Sequence, residues 1–358
     1  MSKHKEKRKW YLLTSSIILL VVMGSCFFLK SIKNAPEKKQ LVLPVEEPVP
    51  IELSAWLVDW HWPAGIEDAK GLSKSLTSLQ LFAAYFNHDG ELLLTHNFKE
   101  MLPKYKESID DSEVFMTIVN DRIQLDGTSV QKDPDLISQL VGSEESRSQH
   151  IHKIIEMVDL YQLAGVEIDY EKVTDNDWNN LIAFYRELYS ALEDKGKKLR
   201  IVLETKAPLE SLHFPEGPVY VMMAYNLYGT HSGPGPKADP ALISNVAEKL
   251  SHLSGKHYIA LSAGGFDWRE DGKITSLTEE KAIALSTLSS KPPERDEESG
   301  SLSFEYVDDT GMKHTVWYGD YRTIKKWIEA AKEAGITKIA LWRLGEINQK
   351  TIDVLMEY

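Results

Sequence analysis

The sequence predicts a (β/α)8 barrel, preceded by an N-terminal membrane anchor and carrying a short insertion after the seventh strand. Three observations predict it. Eight apolar, β-branched runs, each closing on polar residues or glycine, follow one another between residues 51 and 358. Helical patterns separate most of them, and strand–helix alternation repeated this often points to a closed parallel sheet. One run, Gly165 to Glu171, also sets Glu167, Asp169 and Glu171 at a spacing of two between Val166, Ile168 and Tyr170. Side chains alternate along a strand, so the three acids share one face. A doubly wound open sheet is the alternative, but no glycine-rich nucleotide turn supports it.

The chain starts with a basic flank, residues 1–9, holding Lys3, Lys5, Lys7, Arg8 and Lys9. Trp10 to Leu29 contains no charge and is long enough to span a bilayer, with the basic side cytoplasmic. A cleaved signal peptide is the rival reading, and Met23-Gly24-Ser25-Cys26 resembles a bacterial lipobox. The bulky Phe27-Phe28 and the long apolar run favour an uncleaved anchor. Residues 30–50 carry Pro36, Pro44, Pro48 and Pro50 among mixed charges, which suits an extended tether. Residues 51–358 then form one large domain facing outward.

Within that domain the predicted strands are Ala55–Trp60, Leu79–Phe86, Val114–Val119, Gly165–Glu171, Leu199–Glu204, Val219–Asn226, His257–Gly264 and Thr337–Trp342. Predicted helices cover Lys70–Leu76, a run from Ile151 to Leu163, a run from Asp177 to Lys195, Ala241–Leu253 and Tyr321–Ala334. Asp175 or Asp177 is a candidate N-cap, and Gly335 is a good C-terminal stop. Residues 269–320 form the insertion. Its polar stretch 289–300 is expected to be mobile, and Leu302–Val307 with His314–Tyr318 reads as a hairpin around Asp308-Asp309-Thr310-Gly311. A loop this long is usually functional, which suggests one wall of a cleft.

Composition narrows the chemistry. The net charge is −13 despite the basic N-terminus, which argues against nucleic acid as a partner. The single cysteine, Cys26, lies in the apolar segment, so the domain has neither disulfide nor thiolate chemistry. No zinc-type spacing, phosphate loop or G-x-S-x-G elbow occurs, and neither metal nor cofactor is expected. His150 and His152 read as surface groups.

Active sites of such barrels lie at the carboxyl ends of the strands. Those ends here are Asp59-Trp60-His61-Trp62, Tyr85-Phe86-Asn87, Asn120-Asp121, Asp169-Tyr170-Glu171, Glu204, Tyr225-Asn226-Leu227-Tyr228, Gly265-Phe266-Asp267-Trp268 and Trp342-Arg343. Flat aromatic faces suit sugar rings and carboxylates suit a scissile bond, so a carbohydrate cleft is the natural expectation. Neighbouring acids at roughly 6.5 Å along one strand face should raise at least one pKa, as a general acid requires. The bland reading, an amphipathic strand with its acids in water, is disfavoured by the helices on both sides of Gly165–Glu171. Glu204 and Asp59 read as structural acids.

Residues 51–358 resemble the family 18 glycoside hydrolases, the chitinase-like barrels. Their fourth strand carries D-G-x-D-x-D-x-E, matched by Ala164-Gly165-Val166-Glu167-Ile168-Asp169-Tyr170-Glu171. Their sixth strand carries M-x-Y-D, matched by Met223-Ala224-Tyr225-Asn226, and Trp342 in Ala340-Leu341-Trp342-Arg343 matches the tryptophan under the sugar. Val316-Trp317-Tyr318-Gly319-Asp320 also looks familial. The resemblance implies Glu171 as general acid, Asp169 as the group orienting a substrate acetamide, and Tyr225 as its hydrogen-bond partner. The reaction implied is retaining hydrolysis with the acetamide as nucleophile, an exception to the two-carboxylate scheme. Trp342, Asn226, Met223, Glu167, Trp60, Phe86, Trp268 and Tyr228 are the expected substrate contacts.

The sequence departs from the family pattern at Ala164, Glu167 and Asn226, and Phe115-Met116-Thr117-Ile118-Val119-Asn120-Asp121 replaces S-x-G-G on the third strand. These departures suggest a divergent branch nearer bacterial cell-wall or spore-type members. The expected substrate is a β-1,4-linked N-acetylglucosamine polymer, peptidoglycan or chitin, cleaved outside the membrane. The alternatives are a non-catalytic, lectin-like glycan binder, which Glu171, Asp169 and Tyr225 argue against, and a surface scaffold, which only the tether favours.

Overall fold

The computed structural model describes residues 50–108, 112–255 and 257–358. The predicted basic flank, membrane segment and all but the last residue of the tether lie outside these. Among the described residues no helix is long and apolar enough to cross a membrane.

Eight strands close a parallel barrel: β1 (Glu52–Val58), β2 (Leu76–Asn87), β3 (Glu113–Ile123), β4 (Gly165–Asp169), β5 (Lys198–Leu203), β6 (Val219–Met223), β7 (His257–Ser262) and β8 (Lys338–Trp342). Each pairs in parallel with its sequence neighbours, and β8 pairs with β1 to close the ring. The eight predicted runs are these strands.

Alternation sorts the side chains into two cores. Outward residues such as Leu57, Leu81, Ile118, Val166, Ile168 and Leu203 pack under the helices. Inward residues Trp56, Val202, Val221, Met223, Tyr258, Ala260 and Ala340 fill the lumen. Gly165 opens β4 because only glycine fits there. A Cβ would stand 1.9 Å from the carbonyl oxygen of Lys198 on β5.

The helix expected over Lys70–Leu76 instead runs over Trp62–Gly71, with Pro63 in its first turn, and ends at Leu72. Glu144–Leu160, Trp178–Glu193, Pro240–Leu250 and Tyr321–Glu333 form as expected. Asp177 is the N-cap residue of its helix, yet its side chain makes no cap; it accepts from Thr174 and Ser138 instead. His150 is not on the surface. It is buried among Phe86, Tyr170 and Phe184 and bonds the Tyr170 hydroxyl at 2.7 Å.

After β7 the chain builds a five-stranded antiparallel sheet from Gly264–Arg269, Ile274–Leu277, Glu294–Arg295, Leu302–Val307 and Lys313–Gly319. Leu302–Val307 and Lys313–Gly319 form the expected hairpin. The stretch expected to be mobile is tied down. Arg295 pairs with Asp320 at 2.7 Å, and the indole of Trp327 donates to the Ser299 carbonyl at 2.8 Å.

Candidate active site

A cleft of about 480 Å³ opens at the carboxyl ends of the strands. Asp169 ends β4, and Glu171 follows two residues later, both on the inward face. Tyr225 and Asn226 follow β6, with Met223 as its last residue. Trp342 ends β8, with Phe82 beside it edge on and Trp60 tilted against it.

The backbone at Glu171 is fixed by Asn120 of β3. The Glu171 N–H donates to Asn120 Oδ1 at 2.9 Å, and Asn120 Nδ2 donates to the Glu171 carbonyl at 3.0 Å. The Glu171 carboxylate accepts from the Lys132 ammonium. Lys132 itself is set by its backbone N–H, which donates to Asp121 Oδ1 at 2.8 Å.

Burial dominates the electrostatics. It raises the Asp169 carboxyl well above the ordinary range, and the charges of Glu171 and Glu167 add to the rise while Lys132 opposes it. Glu171 is raised as well, by burial first, with Lys132 pulling the other way. Burial also raises the Tyr225 phenol, helped by Asp169 and Glu171, so it stays a neutral donor. One oxygen of Asp169, Oδ1, is buried with no hydrogen-bond partner. Such an oxygen suits a shared proton or a substrate N–H.

The predicted residues separate into two groups. Glu171, Asp169, Tyr225, Trp342, Asn226, Met223 and Trp60 all line the cleft. Glu167, Phe86, Trp268 and Tyr228 do not. Glu167 is sealed one pleat below Asp169, where it accepts from the Trp56 indole at 2.6 Å, Thr117 Oγ1 at 2.8 Å and Arg200 Nε at 2.9 Å. Three donors, one of them the ion-paired Arg200, leave it nothing to offer a ligand. Phe86 faces outward, against His150, because the β2–β3 register shifts between Phe82 and Ala84 and again before Phe86. That shift puts Phe82 and Tyr85 into the cleft instead.

Trp268 lies in the antiparallel sheet and donates its indole N–H to the Ser232 carbonyl at 3.1 Å. Tyr228 packs over Gly235, where a Cβ would sit 2.4 Å from its ring. No residue of the insertion 269–320 lines the cleft, so the expected wall is not there. Glu204 accepts from the Lys172 N–H at 2.8 Å and pairs with Lys206 at 3.3 Å, as expected of a salt-bridged acid, whereas Asp59 accepts from the hydroxyls of Thr95 and Tyr85 instead of a cation.

Sequence reasoning missed Phe82, Tyr85, Asn120, Asp121 and Lys132 as cleft residues. Tyr85, Asn120 and Asp121 stood at recognised strand ends. Lys132 had no such signal, since it lies in the connection beyond Ser129–Val130.

The arrangement joins a protonatable acid at the cleft wall, an acidic neighbour below it, a neutral phenol across and an aromatic floor. That set can deliver a proton to a leaving oxygen and steady positive charge beside it.

Comparisons with known proteins give a family and a shared fold. The family model described as glycosyl hydrolases family 18 matches residues 79–346. The chain is 24% identical over 228 residues to the uncharacterized glycosylase YvbX of Bacillus subtilis, covering 60% of this chain and 66% of that protein. It is 25% identical over 232 residues to the cortical fragment-lytic enzyme of Bacillus anthracis, covering 59% and 53% respectively. The chain thus spans about half to two thirds of the curated relatives it matches. The crystal structure of the Bacillus cereus spore cortex-lytic enzyme SleL superposes with a TM-score of 0.72 at 21% identity, covering 86% of this chain and 74% of that one. A chitinase from Chromobacterium violaceum superposes at 0.70 with 18% identity, covering 85% and 98%. At these identities the structural likeness shows the fold alone.

Proposed function

The chain belongs to the family 18 glycosyl hydrolases, and from that premise we propose that it hydrolyses β-1,4-linked N-acetylglucosamine-containing glycans by a retaining, acetamide-assisted route. The observation that carries the reading is the Asp169–Glu171 pair, buried, facing the cleft and raised in pKa, with Asp169 Oδ1 unbonded.

In the proposed reaction the acetamide oxygen of the substrate attacks its own anomeric carbon. The glycosidic C–O bond breaks as Glu171 gives its proton to the leaving oxygen. The resulting oxazolinium carries an N–H that Asp169 accepts, while the Tyr225 hydroxyl donates to the acetamide oxygen. Water then attacks the anomeric carbon and gives a proton to Glu171 while the bond from that carbon to the oxazolinium oxygen breaks and restores the acetamide, so the enzyme is unchanged and configuration is retained. Trp342, flanked by Trp60 and Phe82, offers the flat apolar surface on which a sugar ring stacks. Met223 and Asn226 border the acetamide.

Peptidoglycan is the nearer polymer, because cortex-lytic relatives are among those matched and the predicted anchor would hold the domain at the cell's own wall. In this proposal the chain spans the membrane once through Trp10–Leu29, with the barrel outside.

The test is release of reducing ends by the full chain from N-acetylglucosamine oligomers and from purified peptidoglycan, with Glu171→Gln alongside. The expected result is turnover on one or both, falling at least about a hundredfold in Glu171→Gln, since proton transfer by a placed acid contributes that much. Equal turnover in both proteins would overturn the assignment of Glu171. No turnover, with unaltered glycan binding in the variant, would make the barrel a lectin.

A further inference from the structure

Lys132 is the one cation among the described residues that line the cleft. The backbone goes out of its way to put it there. Its φ of 54° lies in the left-handed region, uncommon for a residue with a side chain. Neighbours impose it. The Lys132 N–H donates to Asp121, the Asp133 N–H donates to the Asn120 carbonyl at 2.8 Å, and the Asp133 carboxylate pairs with Arg122 at 2.8 Å while capping the helix Pro134–Val141. The ammonium is thereby delivered to Glu171.

As a permanent partner it would be counterproductive. A cation against a carboxylate favours the ionised form, and an ionised Glu171 has no proton to give. The contacts explain only part of the ammonium's capacity. It carries three N–H donors, one of which is used on Glu171, and its side chain is 40% exposed. Every other charge on the cleft wall is negative: Asp121, Asp169 and Glu171. Lys132 is the one group on this wall whose charge attracts an anionic glycan.

We propose that Lys132 is a specificity residue that binds a carboxylate carried by the sugar adjoining the scissile N-acetylglucosamine, and that this exchange of partners lets Glu171 take up from solvent the proton it then donates. The chemistry fits an N-acetylglucosamine bearing a free 3-O-lactyl acid, the alternate sugar of peptidoglycan where its stem peptide has been removed, and not the uncharged chain of chitin. The inference rests on the reading of Glu171 as general acid and names the substrate class of the same cleft.

The experiment compares peptide-free glycan strands carrying free lactyl carboxylates with the same strands as methyl esters, using the full chain. The readout is the ratio of kcat/KM on acid to that on ester. An effect of Lys132 on Glu171 that is the same with both substrates cancels from this ratio, so what remains is the effect of the substrate carboxylate. The wild type should prefer the acid by on the order of tenfold, the discrimination one charge-assisted hydrogen bond supplies. Lys132→Met should bring the ratio near one, and Lys132→Arg should retain part of it. A wild-type ratio of one, or a ratio unchanged in Lys132→Met, overturns the proposal. So does a wild type that cleaves only N-acetylglucosamine oligomers, while leaving the hydrolase reading intact. If nothing is cleaved, the hydrolase reading fails, and equilibrium binding of the two strands decides Lys132 alone. An acid preference lost in Lys132→Met then supports it, and no preference overturns it.

Discussion

Asp169 sits with an unbonded oxygen inside the barrel, Glu167 one pleat below it and Glu171 just above. Its pKa is raised in the folded state by burial and by those two charges. A raised carboxyl gives stability that is fully present below its unfolded value and is lost as pH climbs through the folded one. Asn at this position does not titrate. Asp169→Asn should therefore melt close to wild type near pH 4 and above it by a few degrees near pH 8, reflecting about 1–2 kcal/mol of removed buried charge. Turnover should be lost in the same variant. Melting curves against pH decide this, and a gap that stays constant with pH would contradict it. The three-acid spacing was legible because strand alternation puts such residues on one face. Their different fates were not, because Glu167 owes its role to Arg200, Trp56 and Thr117, which are distant in sequence. Lys132 was illegible for the same reason: its meaning comes from Glu171, brought to it by the closure of the sheet.

Strand β4 is held from both sides by features that only the assembled sheet reveals. Gly165 admits the Lys198 carbonyl, and Arg200 from β5 neutralises Glu167 within the lumen at 2.9 Å. Arg200 also lies over the Tyr258 ring at 4.7 Å. Removing it strands a fully buried carboxylate, so Arg200→Ala should lose about 3–5 kcal/mol in denaturant unfolding. The paired change Arg200→Met with Glu167→Leu should recover most of that loss, since an apolar pair of similar volume replaces a costly buried ion pair. Equal losses in both proteins would mean that the defect is one of packing. Long apolar strands and four of the longer amphipathic helices were readable from periodicity, but His96–Ser108 was not. The short helices Pro134–Val141, Glu279–Ser286 and Gln349–Met356 were not, because two turns carry little pattern. Phe86 was misplaced because the register shift in β2 breaks the period on which its face was assigned.

At the scale of the whole molecule, strand–helix alternation foretold the barrel, since each run was long enough to cross it. The antiparallel sheet after β7 has its own core of Leu277, Ala282, Phe304, Tyr306, Val316 and Tyr318. The sequence showed its hairpin, whereas its distance from the cleft depends on packing. The anchor proposed for Trp10–Leu29 predicts that the full chain sediments with membranes and that deleting residues 10–29 releases it to the soluble fraction. Recovery of the intact full chain as a soluble protein would contradict it. The configuration of the first product, together with the need for the acetamide, separates acetamide assistance from the other routes of glycoside hydrolysis. Proton NMR during early hydrolysis of an N-acetylglucosamine oligomer should show the β-anomer forming first, and the N-deacetylated oligomer should resist cleavage because it lacks the nucleophile. An α-anomer formed first, or cleavage of the deacetylated chain at a similar rate, would contradict the acetamide-assisted mechanism.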